Sequence, residues 1–214
     1  MIDTSGNKPV IQVTMFGGFT ITMDDKSMSD SDNRSRKAWN LLSYLIINRR
    51  KDVSINELFN AIWQEGMQDN PYGALKTLVF RVRKMMEAAG FPSQDLILNQ
   101  KGAYMWNPAW ELSIDTDRFE FLCRRILTSQ EDIKDMEDEW QEAFRLYQGV
   151  FLPKSADDSW VVPLNTYYHS LYQKLVKAVS EYLLERQEYA RVEEICSRAA
   201  GIDRFAEDFY YYMI

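Results

Sequence analysis

The chain has 214 residues, 46% hydrophobic, 14% aromatic and 27% charged, with nine Gly and six Pro. That balance excludes a disordered or low-complexity polymer and fits one large domain or two ordinary ones. The net charge of −7 is unevenly divided: residues 1–110 carry 13 Lys/Arg against 11 Asp/Glu, and residues 111–214 carry 12 against 21. The first half can therefore face a polyanion that the second half repels. The longest apolar run, Leu41 to Ile47, is broken by Ser43 and falls far short of the about twenty residues of a membrane span. No secretory signal is expected at the N-terminus, which carries Asp3 and no apolar core. Cys123 and Cys196 are too few for a disulfide framework or a zinc cluster, and read as reduced thiols of a cytoplasmic protein.

In chain order, Val10–Phe16 and Phe19–Met23 are short β-prone runs separated by Gly17-Gly18 and closed by Asp24-Asp25. Ser27 to Asn33 is polar and reads as a loop. From Ser35 to about Asn48 the period changes to 3.6, with Ala38, Leu41, Leu42, Leu45 and Ile46 on one face. Ser54-Ile-Asn-Glu57 is a capping box opening a helix that carries Leu58, Ile62 and Trp63. A third helix runs from about Pro71 to Ala89, ended by Gly90. Leu96–Leu98 and Ala103–Trp106 flank a Gly-containing turn and predict a hairpin.

After Pro108 the β-prone signal largely disappears. Helices are predicted over Asp115 to about Leu127, Asp132–Tyr147, Leu164–Leu184 and Tyr189–Ala200, with a further one from near Ala206. Glu185–Glu188 is short enough to make its flanking helices antiparallel neighbours. An enzyme reading has no residues to rest on. His169 is the single histidine, and there is no Gly-rich phosphate loop, nucleophile elbow or paired-His motif. The acidic run Glu131–Glu139 reads as a solvated helix face, so no metal and no cofactor is expected.

The third helix carries the most information. Advancing 100° per residue, Leu75, Leu78, Val79, Val82, Met85 and Met86 gather within an arc of about 120°. Opposite them stand Gly73, Thr77, Phe80 and Lys84, flanked by Lys76, Arg81 and Arg83. Such a stripe is either an ordinary solvated basic face or a surface for nucleic acid. Phe80 at its centre suits a thymine methyl in a major groove, or a protein partner.

The order of elements (small sheet, three helices, hairpin, basic third helix) is that of a winged helix. The residues resemble OmpR-like output domains, and more closely the antibiotic regulatory protein (SARP) family of transcriptional regulators. The resemblance rests on Ala74-Leu-Lys-Thr-Leu-Val-Phe-Arg-Val-Arg-Lys84 for the recognition helix and on Val53-Ser54 with Leu58, Ile62 and Trp63 for the helix before it. Gly102-Ala-Tyr-Met-Trp106 is similar to the family's wing, and Phe16-Gly-Gly-Phe19 to its opening strand. Beyond Pro108, Asp115-Thr-Asp-Arg-Phe119, Ala143-Phe-Arg-Leu-Tyr-Gln-Gly149 and Trp160 resemble the bacterial transcriptional activator domain that follows in that family.

What the resemblance implies is an α+β winged helix-turn-helix domain over residues 1–109, then an all-α tetratricopeptide-like helical domain over residues 112–214. Further repeat helices are expected past Ile214. The implied function is sequence-specific recognition of double-stranded DNA in the bacterial cytoplasm. The DNA-binding candidates are Lys76, Thr77, Phe80, Arg81 and Lys84 on the third helix and Lys101 on the wing; Arg34, Arg36 and Lys37 at the start of the first long helix are second-tier phosphate contacts. The helical domain would meet a second copy of the chain or RNA polymerase, and no membrane. Two rivals stay open at this point: a winged helix turned protein-interaction module, and a fragment of a larger signalling regulator without DNA binding of its own.

Overall fold

The computed structural model describes residues 9–63, 70–100, 102–129, 133–203 and 209. Strands β1 (Ile11–Thr14) and β2 (Thr20–Met23) pair antiparallel across the Gly17-Gly18 turn, where Gly17 takes φ +75°. The stretch expected to be a loop opens instead with a third strand, β3 (Lys26–Ser29), paired residue for residue with β2. Asp24, at φ 54°, turns the chain within two residues between Met23 and Lys26. Only Met28 of β3 enters the core, so the strand has no alternating pattern to read.

Three helices follow: α1 (Arg36–Ile47), α2 (Ile55–Ile62) and α3 (Pro71–Ala88). Ser54 caps α2 by accepting from the Glu57 N–H, as its sequence predicts. The Glu57 carboxylate is drawn sideways, taking hydrogen bonds from Tyr44 Oη and Lys51 Nζ. The Lys51 bond, more than any other influence, holds that carboxyl below its ordinary range. The expected hairpin forms from β5 (Ile97–Gln100) and β6 (Ala103–Trp106), preceded by the single turn α4 (Ser93–Leu96). A two-residue strand, β4 (Val53–Ser54), completes this sheet in the order β4-β6-β5.

The β-structure does not stop at Pro108. Strand β7 (Leu112–Ile114) runs parallel to β1 and closes the first sheet as β3-β2-β1-β7. At three residues it is too short to show a period. Helix α5 (Asp115–Thr128) follows without a linker, then α6 (Glu137–Leu146), α7 (Val162–Glu185) and α8 (Tyr189–Ile202). The helix expected from Asp132 begins with a 3-10 turn over Ile133–Met136, Asp132 itself lying outside the described residues. Of the segment expected to be helical from near Ala206, only Phe209 is described; it is buried with its ring edge-on to Tyr172. The architecture is thus an α+β lobe followed by a helical lobe. Among the described residues no helix is long and apolar enough to cross a membrane.

The two lobes share one core. Asp115, the first residue of α5, turns its carboxylate onto the loop after β1, accepting from Met15 N–H (2.8 and 2.9 Å) and Phe16 N–H (3.0 Å). Its own helix supplies a third donor, Thr116 N–H. The Phe16 ring enters the helical lobe and meets Phe119, Tyr147 and Tyr168 at centroid distances of 4.8–5.3 Å. Leu152 N–H donates to Met15 O, and Gly17 N–H to Val150 O. A second tie lies on α1. The buried amide of Asn40 donates to Asp158 (2.6 Å) and accepts from Trp160 Nε1 (2.8 Å), while Arg36 pairs with Asp158 at 3.0 Å.

Two consequences are measurable. Phe16→Ala deletes a ring from the shared core, so a loss of about 3–5 kcal/mol is expected, with both lobes unfolding in one transition; urea titrations followed by circular dichroism and by tryptophan fluorescence check this, and separate midpoints would contradict it. The Asp115 carboxyl is pushed up to about 6 by burial, against the pull of its N–H donors. Between about pH 4 and 6 the folded chain therefore keeps a proton that the unfolded chain has lost, and this group's contribution to stability falls as pH rises. Comparing Asp115→Asn with the parent across that window should show the parent losing about 2–3 kcal/mol relative to the variant.

Candidate nucleic-acid interface

Helix α3 is positioned from both ends. Asn70 accepts from Gly73 N–H at 2.8 Å, and a side chain at Gly73 would strike the Asn70 amide, so the glycine is needed for the cap to close. Pro71 supplies the fixed first-turn geometry. At the far end Gly90, at φ +83°, reverses the chain, and Phe91 N–H returns to Met86 O. Leu75, Leu78, Val79, Val82 and Met86 are buried against the rest of the lobe, and Met85 is half-buried against the same core. This is the face expected from the helical period.

The opposite face is open. Lys76, Thr77, Phe80, Arg81 and Lys84 are all exposed, and Phe80 leaves 61% of its surface in solvent. Thr77 Oγ1 donates back to Gly73 O. The Lys76 and Arg81 side chains have no partner among the described residues. Lys84 Nζ lies 5.8 Å from the Phe80 ring centroid and 2.7 Å from Glu87. Glu87, the one acid on this stripe, is occupied elsewhere as well, by Ser93 Oγ and Gln94 Nε2. Those bonds, Lys84 first, lower its pKa.

Arg83 departs from the expected stripe. Its Nη2 donates to Ile97 O at 2.6 Å, clamping α3 to the first strand of the hairpin. Its place is taken by Lys37, which sits over the Trp63 ring at 5.0 Å; Trp63 in turn stacks on Phe59 at 4.9 Å. Lys37, Trp63, Asn70, Thr77 and Arg81 line one groove of about 480 Å³ along α3. Arg34 and Arg36 do not join it; they open onto a cleft between the lobes, where Arg36 is paired with Asp158. Lys101 lies outside the described residues. Trp63 and Asn70 were not among the sequence candidates; the Asn-Pro-x-Gly start of α3 was the available signal for Asn70.

No protein-family pattern and no curated protein sequence matches the chain. Among solved structures, Mycobacterium tuberculosis EmbR in complex with a low affinity phosphopeptide superposes with a TM-score of 0.72 over 96% of this chain, at 16% identity. The fold is shared with EmbR. The likeness takes in both lobes, whereas this chain spans only 54% of the EmbR chain. At that identity, the EmbR likeness extends to the fold and not to individual side chains.

The exposure of Phe80 sets an expectation for stability. Phe80→Ala should change the unfolding free energy by no more than the about ±0.5 kcal/mol of a surface site, whereas Arg83→Ala should cost about 1–3 kcal/mol by orphaning the Ile97 carbonyl. Thermal unfolding of both variants tests the pair, and a core-sized loss for Phe80→Ala would mean its ring is packed.

Proposed function

We propose that the chain is a SARP-type transcriptional regulator that binds double-stranded DNA without enzymatic chemistry. The observation that carries this reading is the open face of α3, where Lys76, Thr77, Phe80, Arg81 and Lys84 stand together in solvent with Lys37 beside them. The EmbR-like fold supports it. On this reading the α+β lobe is a winged helix-turn-helix, α3 is the recognition helix in the major groove and the β5–β6 hairpin is the wing. The cations grip phosphates, and Thr77 and Phe80 meet base edges, Phe80 against a thymine methyl. The acidic, tetratricopeptide-like helical lobe repels phosphate and serves protein partners, a second copy or RNA polymerase, in the cytoplasm.

One observation favours a second reading, a protein-interaction module: besides Phe80, α3 exposes Tyr72, 56% in solvent. Selection of genomic fragments on the purified chain, followed by titration of the winning duplex, separates the two. Four phosphate contacts, from Lys37, Lys76, Arg81 and Lys84, should give a slope of log affinity against log salt of roughly −3.6. Arg81→Ala should reduce that slope by about one unit. Phe80→Ala should leave the slope alone and relax preference at one base pair by about 1 kcal/mol or more. Absence of binding to any duplex, with self-association or partner binding lost in Phe80→Ala, would establish the module instead.

A further inference from the structure

A second cavity lies away from α3, where the two lobes meet. It is an open cleft of about 420 Å³, within the range of small-molecule sites, and such sites favour domain junctions. Three structural segments wall it: the loop after β3 (Asp30–Arg34), the first turns of α1 (Arg36, Trp39, Ser43) and the connector before α7 (Leu152, Lys154, Ser155). Its floor is apolar. Phe19 and Trp39 meet edge-to-face at 5.7 Å, with Leu152 beside them, and all three are almost wholly buried in the fold. Trp39 is held in place because its Nε1 donates to Asn33 Oδ1 at 3.1 Å.

The rim is charged, and its ions are unequally engaged. Lys154 pairs with Asp30 at 3.1 Å, and Arg36 with Asp158 at 3.0 Å. The Asp32 carboxylate accepts from Ser29 N–H. The Arg34 side chain has no partner among the described residues. Arg36 and Lys154 still show 56% and 54% of their side chains to solvent. An incoming anion thus finds one guanidinium with unused donors and two more cations within the same rim. Of the two carboxylates on the rim, Asp30 is held by Lys154, and Asp32, bonded to the Ser29 N–H, is the one that faces a cation without a paired lysine or arginine. An aromatic floor with an uncommitted guanidinium at its edge suits a flat apolar body carrying one anionic head.

We propose that this junction cavity binds a small aromatic acid, its ring on Phe19, Trp39 and Leu152 and its carboxylate or phosphate on Arg34. The inference goes beyond the DNA reading and is measured without any duplex, so either can fail alone. Because the walls come from both lobes, the ligand binds the folded chain and not the unfolded one. At a hundredfold excess over its dissociation constant, it should raise the melting temperature by about 5–10 °C.

The test uses the full chain with four probes: indole-3-acetate, phenyl phosphate, neutral indole and cationic tryptamine. Melting temperature and the assigned Trp39 indole N–H resonance are followed together. One or both acids should shift both signals saturably, the tighter acid naming the head group, while indole binds at least tenfold more weakly and tryptamine does not bind. Arg34→Ala should keep the unliganded melting temperature and lose at least tenfold in acid affinity. Arg34→Glu should turn the preference toward tryptamine. The proposal is overturned if neither acid moves the Trp39 resonance at 10 mM, if indole binds as tightly as the acids, or if Arg34→Ala binds them as the parent does.

Discussion

A buried carboxylate is costly unless donors meet its charge, and Asp115 finds two of its donors a hundred residues back in the chain. That one side chain fixes three things together: the end of β1, the start of α5 and, through β7, the edge of the first sheet. With Met15 and Phe16 held by their N–H groups, the Phe16 ring has only the helical lobe to enter, and the aromatic cluster around Phe119, Tyr147 and Tyr168 closes over it. The return segment then completes the backbone pairing through Leu152 and Val150. Two lobes that composition and charge set apart are in this way packed as neighbours in one interior. Opposite charges also meet across the junction, Arg36 with Asp158 and Lys154 with Asp30.

The parts of the fold that could be read from sequence are those with a repeating signal. The buried arc of α3, the cap of α2 and the β5–β6 hairpin follow from periods, cap residues and a Gly-containing turn. What could not be read has no period. Strand β3 buries one residue, and β7 has three residues in all. At the candidate interface, position on the wheel gave the direction of each side chain but not its partner. Arg83 and Arg36 are long, flexible cations whose partners, Ile97 O and Asp158, lie fourteen and 122 residues away. No local pattern encodes such a pairing. Lys37 moved the other way, brought to α3 by the stack of Phe59 and Trp63 beneath it.

The helical lobe reaches the α+β lobe through more than the Phe16 cluster. Asn40 lies in the middle of α1, and α1 packs directly behind α3. The Trp160 indole and the Asp158 carboxylate therefore hold the helix that supports the candidate interface. Removing either would leave the buried Asn40 amide without one of its two partners, a more serious loss than breaking an exposed ion pair. The connector between α6 and α7 is thus a structural member, although its composition reads only as a long loop.

The bond from Arg83 to Ile97 has a geometric consequence. It joins the outward helix to the base of the hairpin, so the two projecting parts keep one spacing, like the jaws of a caliper. On the proposed reading, a duplex seated between them must match that gap. Sequences whose groove width differs would have to be deformed to fit, and the energy of that deformation discriminates at base pairs no side chain touches. Part of the selectivity would then reside in an arginine that never meets the nucleic acid.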